Sequence, residues 1–129
     1  MIHVEVEQGI AYVSPKGHYA QAEFAEAVER ALTLCPEGSA RGLIMDFSSA
    51  HGVETHSIVR VRETARHLAQ NGARYHWRVA VIAPTEGVAR LLQVGGAVSR
   101  GHGIEYEFCR DVVDARSWIL NPANARASA

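Results

Sequence analysis

Six residues in one short stretch have types and spacing suited to chemistry: Asp46, Ser48, Glu54, Thr55, His56 and Ser57. They follow the apolar run Leu43-Ile44-Met45 and precede a helical pattern. The expected order is a buried strand, a polar loop and a helix starting near Thr55. In open α/β sheets, ligands gather outside the carboxyl ends of strands, at such turns. A hydroxyl beside a helix start lies where backbone N–H groups and the helix dipole favour an anion. Phosphate on Thr55 or Ser57 would add up to about two negative charges and would attract or repel a partner. The same residues also suit plain structural work. Thr55 or Glu54 can cap the helix, and Asp46 or Ser48 can fix the loop.

Other constellations are weaker. The chain has seven histidines, but none falls in a Cys–His finger spacing or in His-Glu-x-x-His. A metal site needs three or four converging ligands, and scattered surface histidines are the expectation. Cys35 and Cys109 lie in different elements, and neither has a neighbouring base that would make it a nucleophile. There is no Gly-x-Gly-x-x-Gly and no phosphate-binding Walker loop. Gly95-Gly96 and Gly101-His102-Gly103 read as a helix end and a turn. No Ser-His-Asp arrangement or carboxylate pair stands out, so no catalytic residue and no cofactor is expected. Arg60, Arg62, Arg66, Arg74 and Arg78 give a mild basic bias around one helix. That bias suits an acidic partner, an anionic headgroup or a solvated face.

Something must hold the stretch from Asp46 to Ser57 in place. The chain has 129 residues, enough for one domain with a real core. A hydrophobic share of 47% and a net charge of −1 fit a globular protein. They argue against non-specific nucleic-acid binding, which needs a cationic excess. No apolar run reaches the roughly 20 residues of a membrane span. The alternating start, Ile2-His3-Val4-Glu5-Val6-Glu7, reads as a strand rather than a signal peptide, so a cytoplasmic location with reduced thiols is expected.

Period two in Ile2, Val4 and Val6, then Gln8-Gly9, then Ile10, Tyr12 and Ser14, predicts a β-hairpin. A 3.6-residue stripe of Ala20, Phe24, Ala27, Val28, Ala31 and Leu32 predicts a helix over 19–35. The run 42–47 predicts a strand buried on both faces. Ile58, Val61, Ala65 and Leu68 predict a second helix over 55–71. A strand over 77–83 and a third helix opening at Pro84-Thr85-Glu86 follow. A strand over 104–109 and a last helix capped by Asp111 end the pattern. The order ββαβαβαβα is an α/β fold: a mixed five-stranded sheet with an N-terminal antiparallel hairpin and four helices. One domain over 1–121 and a flexible tail over 122–129 are expected.

Three stretches give the chain a family likeness over about 1–120. They are Leu43-Ile-Met-Asp-Phe-Ser48, then Arg78-Val-Ala-Val-Ile-Ala83 with Gly87-Val-Ala-Arg-Leu-Leu92, then Phe108-Cys-Arg-Asp through Trp118-Ile-Leu120. The chain resembles STAS domains, the fold of bacterial anti-sigma factor antagonists, and more closely the SpoIIAA-like branch. In regulatory STAS domains a partner kinase phosphorylates the first serine of an Asp-Ser-Ser-Gly loop. Laid on this chain without gaps, that serine falls on Thr55, its aspartate on Glu54, the second serine on His56 and the glycine on Ser57. Asp46 and Ser48 match the start of the motif, while Glu-Thr-His-Ser replaces the tetrad.

The resemblance implies a non-enzymatic regulatory domain with a protein partner, a kinase or an anti-sigma-like regulator. Asp46, Ser48, Glu54, Thr55 and His56 would form the binding loop, with Thr55 and Ser57 the candidate phosphorylation sites. A homodimer is compatible with the exposed hairpin edge. The alternative is a carrier of a small apolar ligand or lipid, which the family's kinship with Sec14-like domains also implies. Its cavity would lie between helices and sheet, lined by Leu68, Trp77, Leu91 and Trp118.

Overall fold

Residues 1–121 are described by the structure, a computed structural model; the expected tail, 122–129, lies outside the described residues. The alternating first segment forms strand β1, Ile2–Glu7. Gln8 and Gly9 both take left-handed backbone, with φ of 55° and 77°. Such a turn has the twist that two antiparallel strands need. The chain returns as β2, Ile10–Pro15, with Ile10 opposite Glu7.

Three crossovers follow. They are α1 (Gln21–Leu34), β3 (Gly42–Asp46), α2 (Ile58–Ala69), β4 (Arg78–Ile82), α3 (Glu86–Gly101) and β5 (Glu105–Phe108), and α4 (Val112–Leu120) closes the fold. The sheet order is β1-β2-β3-β4-β5, parallel from β2 onward. Every crossover steps one strand in the same direction. Right-handed crossovers then put α1, α2 and α3 on one face. Ala11, Val13, Leu43, Met45, Val79 and Val81 share one core with Phe24, Ala27, Val28 and Leu92 from that layer. The alternate strand residues Ile10, Ile44, Ala80 and Ile82 pack on the opposite face against Ala115, Trp118 and Ile119 of α4. Burial on both faces explains why β3 and β4 read as unbroken apolar runs.

Arg78 locks α4 to the sheet. Its guanidinium donates to Glu105 Oε2 at 2.8 Å and to the Trp118 carbonyl at 2.7 Å, and lies 4.2 Å over the Trp118 ring. A cation at the last turn of a helix also complements its dipole.

Three local expectations are corrected. α2 begins at Ile58 rather than near Thr55, because Ser57 is the N-cap and accepts from the Arg60 N–H at 3.5 Å. Val53–Thr55 is a separate 3-10 turn, entered through Gly52 at φ 69°. Trp77 does not belong to β4. His76 and Trp77 have φ of 52° and 58°, a conformation rare for residues with side chains. The Trp77 ring occupies the space where Gly72 lacks a Cβ.

Gly95-Gly96 does not end a helix, since α3 runs through to Gly101. A Cβ at Gly96 would come within 2.8 Å of the Tyr106 ring, so the glycine makes room for that ring. A Cβ at Gly95 would meet Ala65 at 3.5 Å, an ordinary contact. Helix propensity favours alanine over glycine by about 1 kcal/mol at either position, whereas overpacking costs about 1–3 kcal/mol. Gly95→Ala is therefore expected to raise stability and Gly96→Ala to lower it, which urea unfolding of the two variants will measure.

Candidate functional site

The loop between β3 and α2 is stitched to the loop after β2. Gly17 N–H donates to the Ser49 carbonyl at 2.9 Å, and His51 N–H donates to the Gly17 carbonyl at 2.8 Å. The polar stretch is thereby held against the carboxyl ends of the parallel strands, where the sequence places it.

Asp46 is only 5% exposed. Its carboxylate accepts from the Tyr12 hydroxyl at 2.5 Å, from the Ser48 N–H at 3.0 Å and from the Ser48 hydroxyl at 2.5 Å. Ser48 and Asp46 thus fix the loop start. Asp46 has the same strand parity as Ile44, so it lies on the α4 side of the sheet. No hydrogen bond joins Asp46 to Thr55. Tyr12 sits on β2 with that parity too, and its pKa is pushed up to about 12, first by burial and then by its bond to Asp46.

The other loop residues belong to the opposite side, where Phe47 and Val53 enter the larger core. Glu54, Thr55 and Ser57 are exposed. The Thr55 hydroxyl donates to the Gly52 carbonyl at 2.6 Å, beside the backbone bond from Thr55 N–H to the same carbonyl at 3.0 Å that closes the 3-10 turn. His56 precedes α2 and turns inward. Its ring stacks on Tyr19 at 4.7 Å, and its Nδ1 lies 2.8 Å from the Gln21 side-chain amide. Burial lowers its pKa.

Tyr19 and Gln21 line a cavity of about 50 Å³ between the helices and the sheet. Phe24, Phe47, Tyr75 and Tyr106 add aromatic walls, and Leu68 and Gly95 lie on the α2–α3 side. The Tyr75 hydroxyl donates to the Leu68 carbonyl at 2.8 Å, and the Tyr106 hydroxyl to the Leu92 carbonyl at 3.0 Å. Of the lining expected from sequence, only Leu68 is correct. Trp118 packs under the other face, Trp77 is 44% exposed, and Leu91 is no part of the wall. Sequence reasoning passed over Tyr12, Tyr19 and Gln21. Strand parity places Tyr12 among the residues of the Asp46 face, but no local pattern signals Tyr19 or Gln21.

On the α4 side, a groove of about 340 Å³ is lined by His3, Glu5, Tyr12, Lys16 and Arg116 among others. Most of its polar side chains are already partnered, His3 with Glu5 at 2.9 Å and Arg116 with Glu7 at 3.2 Å. Among the described residues, no three His, Cys, Asp or Glu side chains converge to hold a metal ion. No described helix is long and apolar enough to cross a membrane. The basic bias is smaller than the sequence suggests, since Arg74 pairs with Glu29 at 2.7 Å and Arg78 is buried against Glu105. No known family model matches the chain, and no curated protein matches it.

Tyr12 and His56 give pH predictions of opposite sign. The neutral phenol of Tyr12 is favoured in the fold. Its stabilisation is complete below pH about 10, the unfolded value, and is lost as pH rises through the folded value of about 12. Asp46→Asn removes the neighbouring charge and should bring the Tyr12 pKa down, which a phenolate absorbance titration reads. The neutral imidazole of His56 is favoured in the fold, so its contribution is present above about pH 6.5 and falls away below it. His56→Phe keeps the stack on Tyr19 and should flatten that acid limb in urea midpoints measured across pH.

Proposed function

We propose that this chain is a STAS-type domain of the SpoIIAA-like branch, a non-enzymatic regulator of the bacterial cytosol that binds a protein partner through the β3–α2 loop. One observation carries the reading. Ile58 and Val59, beside Ser57 and the Thr55 turn, are 52% and 57% exposed. Two large apolar side chains exposed beside the polar turn supply surface that a partner can cover. The stitched loop supports the same reading, because a preordered surface loses little entropy on binding. The mixed sheet with its antiparallel first pair and four helices is compatible with the STAS layout. The unpaired edge of β1 is where a second copy would add in a homodimer.

The two hydroxyls differ as modification sites. Phosphate on Thr55 would cost its hydroxyl bond to the Gly52 carbonyl, while the backbone bonds of the 3-10 turn, Thr55 N–H to Gly52 and His56 N–H to Val53, remain. Ser57 has only accepted a bond, from Arg60 N–H. Phosphate on it would stand at the N-terminus of a 12-residue helix, where negative charge stabilises by about 0.3–1 kcal/mol. Intact-mass and peptide-mapping spectrometry on protein isolated from its own cells is the test. Phosphate on Thr55 or Ser57 is the expected finding. An unmodified chain across growth conditions would contradict the switch and leave a constitutive partner.

The cavity favours a second reading, a carrier of a small apolar ligand. Its volume of about 50 Å³ is well below the ~150 Å³ of a dry engineered cavity that binds benzene or xenon. Only a ligand of a few heavy atoms fits without parting the helices. Solvent extraction of the purified protein, followed by mass spectrometry, returns such a compound if the carrier reading is right. An empty extract makes the cavity a packing gap.

A further inference from the structure

We infer that the outer face of α2 docks an acidic protein segment that carries aliphatic side chains. The inference rests on the partner-binding reading above and names the partner's chemistry.

Four arginines of the middle and end of the chain are committed, whereas Arg90 and Arg110, like those of α2, are exposed and make no ion pair among the described residues. Arg74 is bonded to Glu29 at 2.7 Å, Arg78 to Glu105 at 2.8 Å and Arg116 to Glu7 at 3.2 Å. Arg100 donates to the Tyr106 carbonyl at 2.7 Å. Arg60, Arg62 and Arg66 are exposed and make no ion pair among the described residues. Val59, Arg62 and Arg66 follow the three-and-four spacing of one helical stripe, offset from the buried Val61, and the next member of that stripe, Ala69, is buried.

Arg62 and Arg66 stand one turn apart with like charge, which costs an isolated helix about 0.2–0.5 kcal/mol. Glu63 is the one carboxylate on α2. It stands three residues from both Arg60 and Arg66, so a single carboxylate faces three arginines on this helix. The whole chain has a net charge of −1, so the cationic surplus is local.

A complementary surface needs carboxylates opposite the arginines and aliphatic groups opposite Ile58 and Val59. Guanidinium forks grip carboxylates two bonds at a time, which fixes the register of a bound segment. The apolar end of the stripe and the net negative charge of the chain both argue against a nucleic-acid backbone as the occupant.

The test uses the full chain with defined probes: a synthetic helical peptide of alternating glutamate and leucine turns, the same peptide with lysine for glutamate, and vesicles of anionic phospholipid. Amide chemical shifts locate binding and fluorescence anisotropy gives Kd. The acidic peptide is expected to shift residues 58–66 and to bind more weakly as salt rises. The double variant Arg62→Glu, Arg66→Glu should raise Kd by about tenfold or more, with the thermal melt confirming the fold. Four results would overturn the inference: no peptide binding, shifts elsewhere, affinity unchanged by charge reversal, or vesicles binding α2 where the peptide does not. If the acidic peptide fails while a native partner still cross-links to position 55, the acidic-partner inference falls and the loop reading stands. If both fail, both readings fall.

Discussion

The constraint on which the rest depends is the one-way order of the strands. Parallel strands laid down in chain order, joined by right-handed crossovers, leave their three connecting helices no choice of face. α1, α2 and α3 must crowd one side, and the terminal helix must cover the other. The crowding has visible consequences. Gly96 gives up its side chain so that the Tyr106 ring fits under α3. Gly95 lies against Ala65 of α2. The cavity sits where this crowded layer meets the sheet without filling the last space. On the far side, nine-residue α4 is too short to cover five strands. It relies on the Arg78 clamp at one end and leaves the polar groove along β1 and β2.

The same constraint divides the polar loop. Strand parity sends Asp46 to the α4 side, where Tyr12 and Ser48 satisfy it. Phe47 and Val53 then drop into the larger core and turn the chain back toward α1. Glu54, Thr55 and Ser57 are carried outward and His56 inward, onto Tyr19. What reads as one motif is thus two sites with different tasks. Asp46 anchors the loop, and the Thr55–Ser57 turn lies at the surface beside the start of α2.

Element type and order were legible because periodicity reports burial directly. The hairpin, the two doubly buried strands and the apolar stripes of the helices follow from period two, unbroken runs and period 3.6. Boundaries were less legible because they depend on single contacts. A hydroxyl at Ser57 rather than Thr55 takes the N-cap role. His76 and Trp77 adopt left-handed backbone that nothing local in the sequence demands. Gly95-Gly96 looks like a stop until the Tyr106 ring is seen to need the space. The position of the polar loop at the end of β3 was legible, since an apolar run followed by turn residues marks a strand end. Its partners were not, because Tyr12, Tyr19 and Gln21 come from distant sequence and meet the loop only through sheet register and helix packing. The trio Arg60, Arg62 and Arg66 was visible as composition, but only ion-pair geometry separates it from Arg74 and Arg78.

In the function we propose, one surface, the Thr55–Ser57 turn with the first turn of α2, meets the partner. Site-specific photo-cross-linking in the native cells tests that most directly. A photoreactive residue would be placed in turn at position 55, at position 59 and at Leu34, an exposed apolar residue at the end of α1. The account predicts adducts of one discrete mass from positions 55 and 59 and none from position 34. Equal labelling from position 34, or no adduct from either loop position, would contradict it.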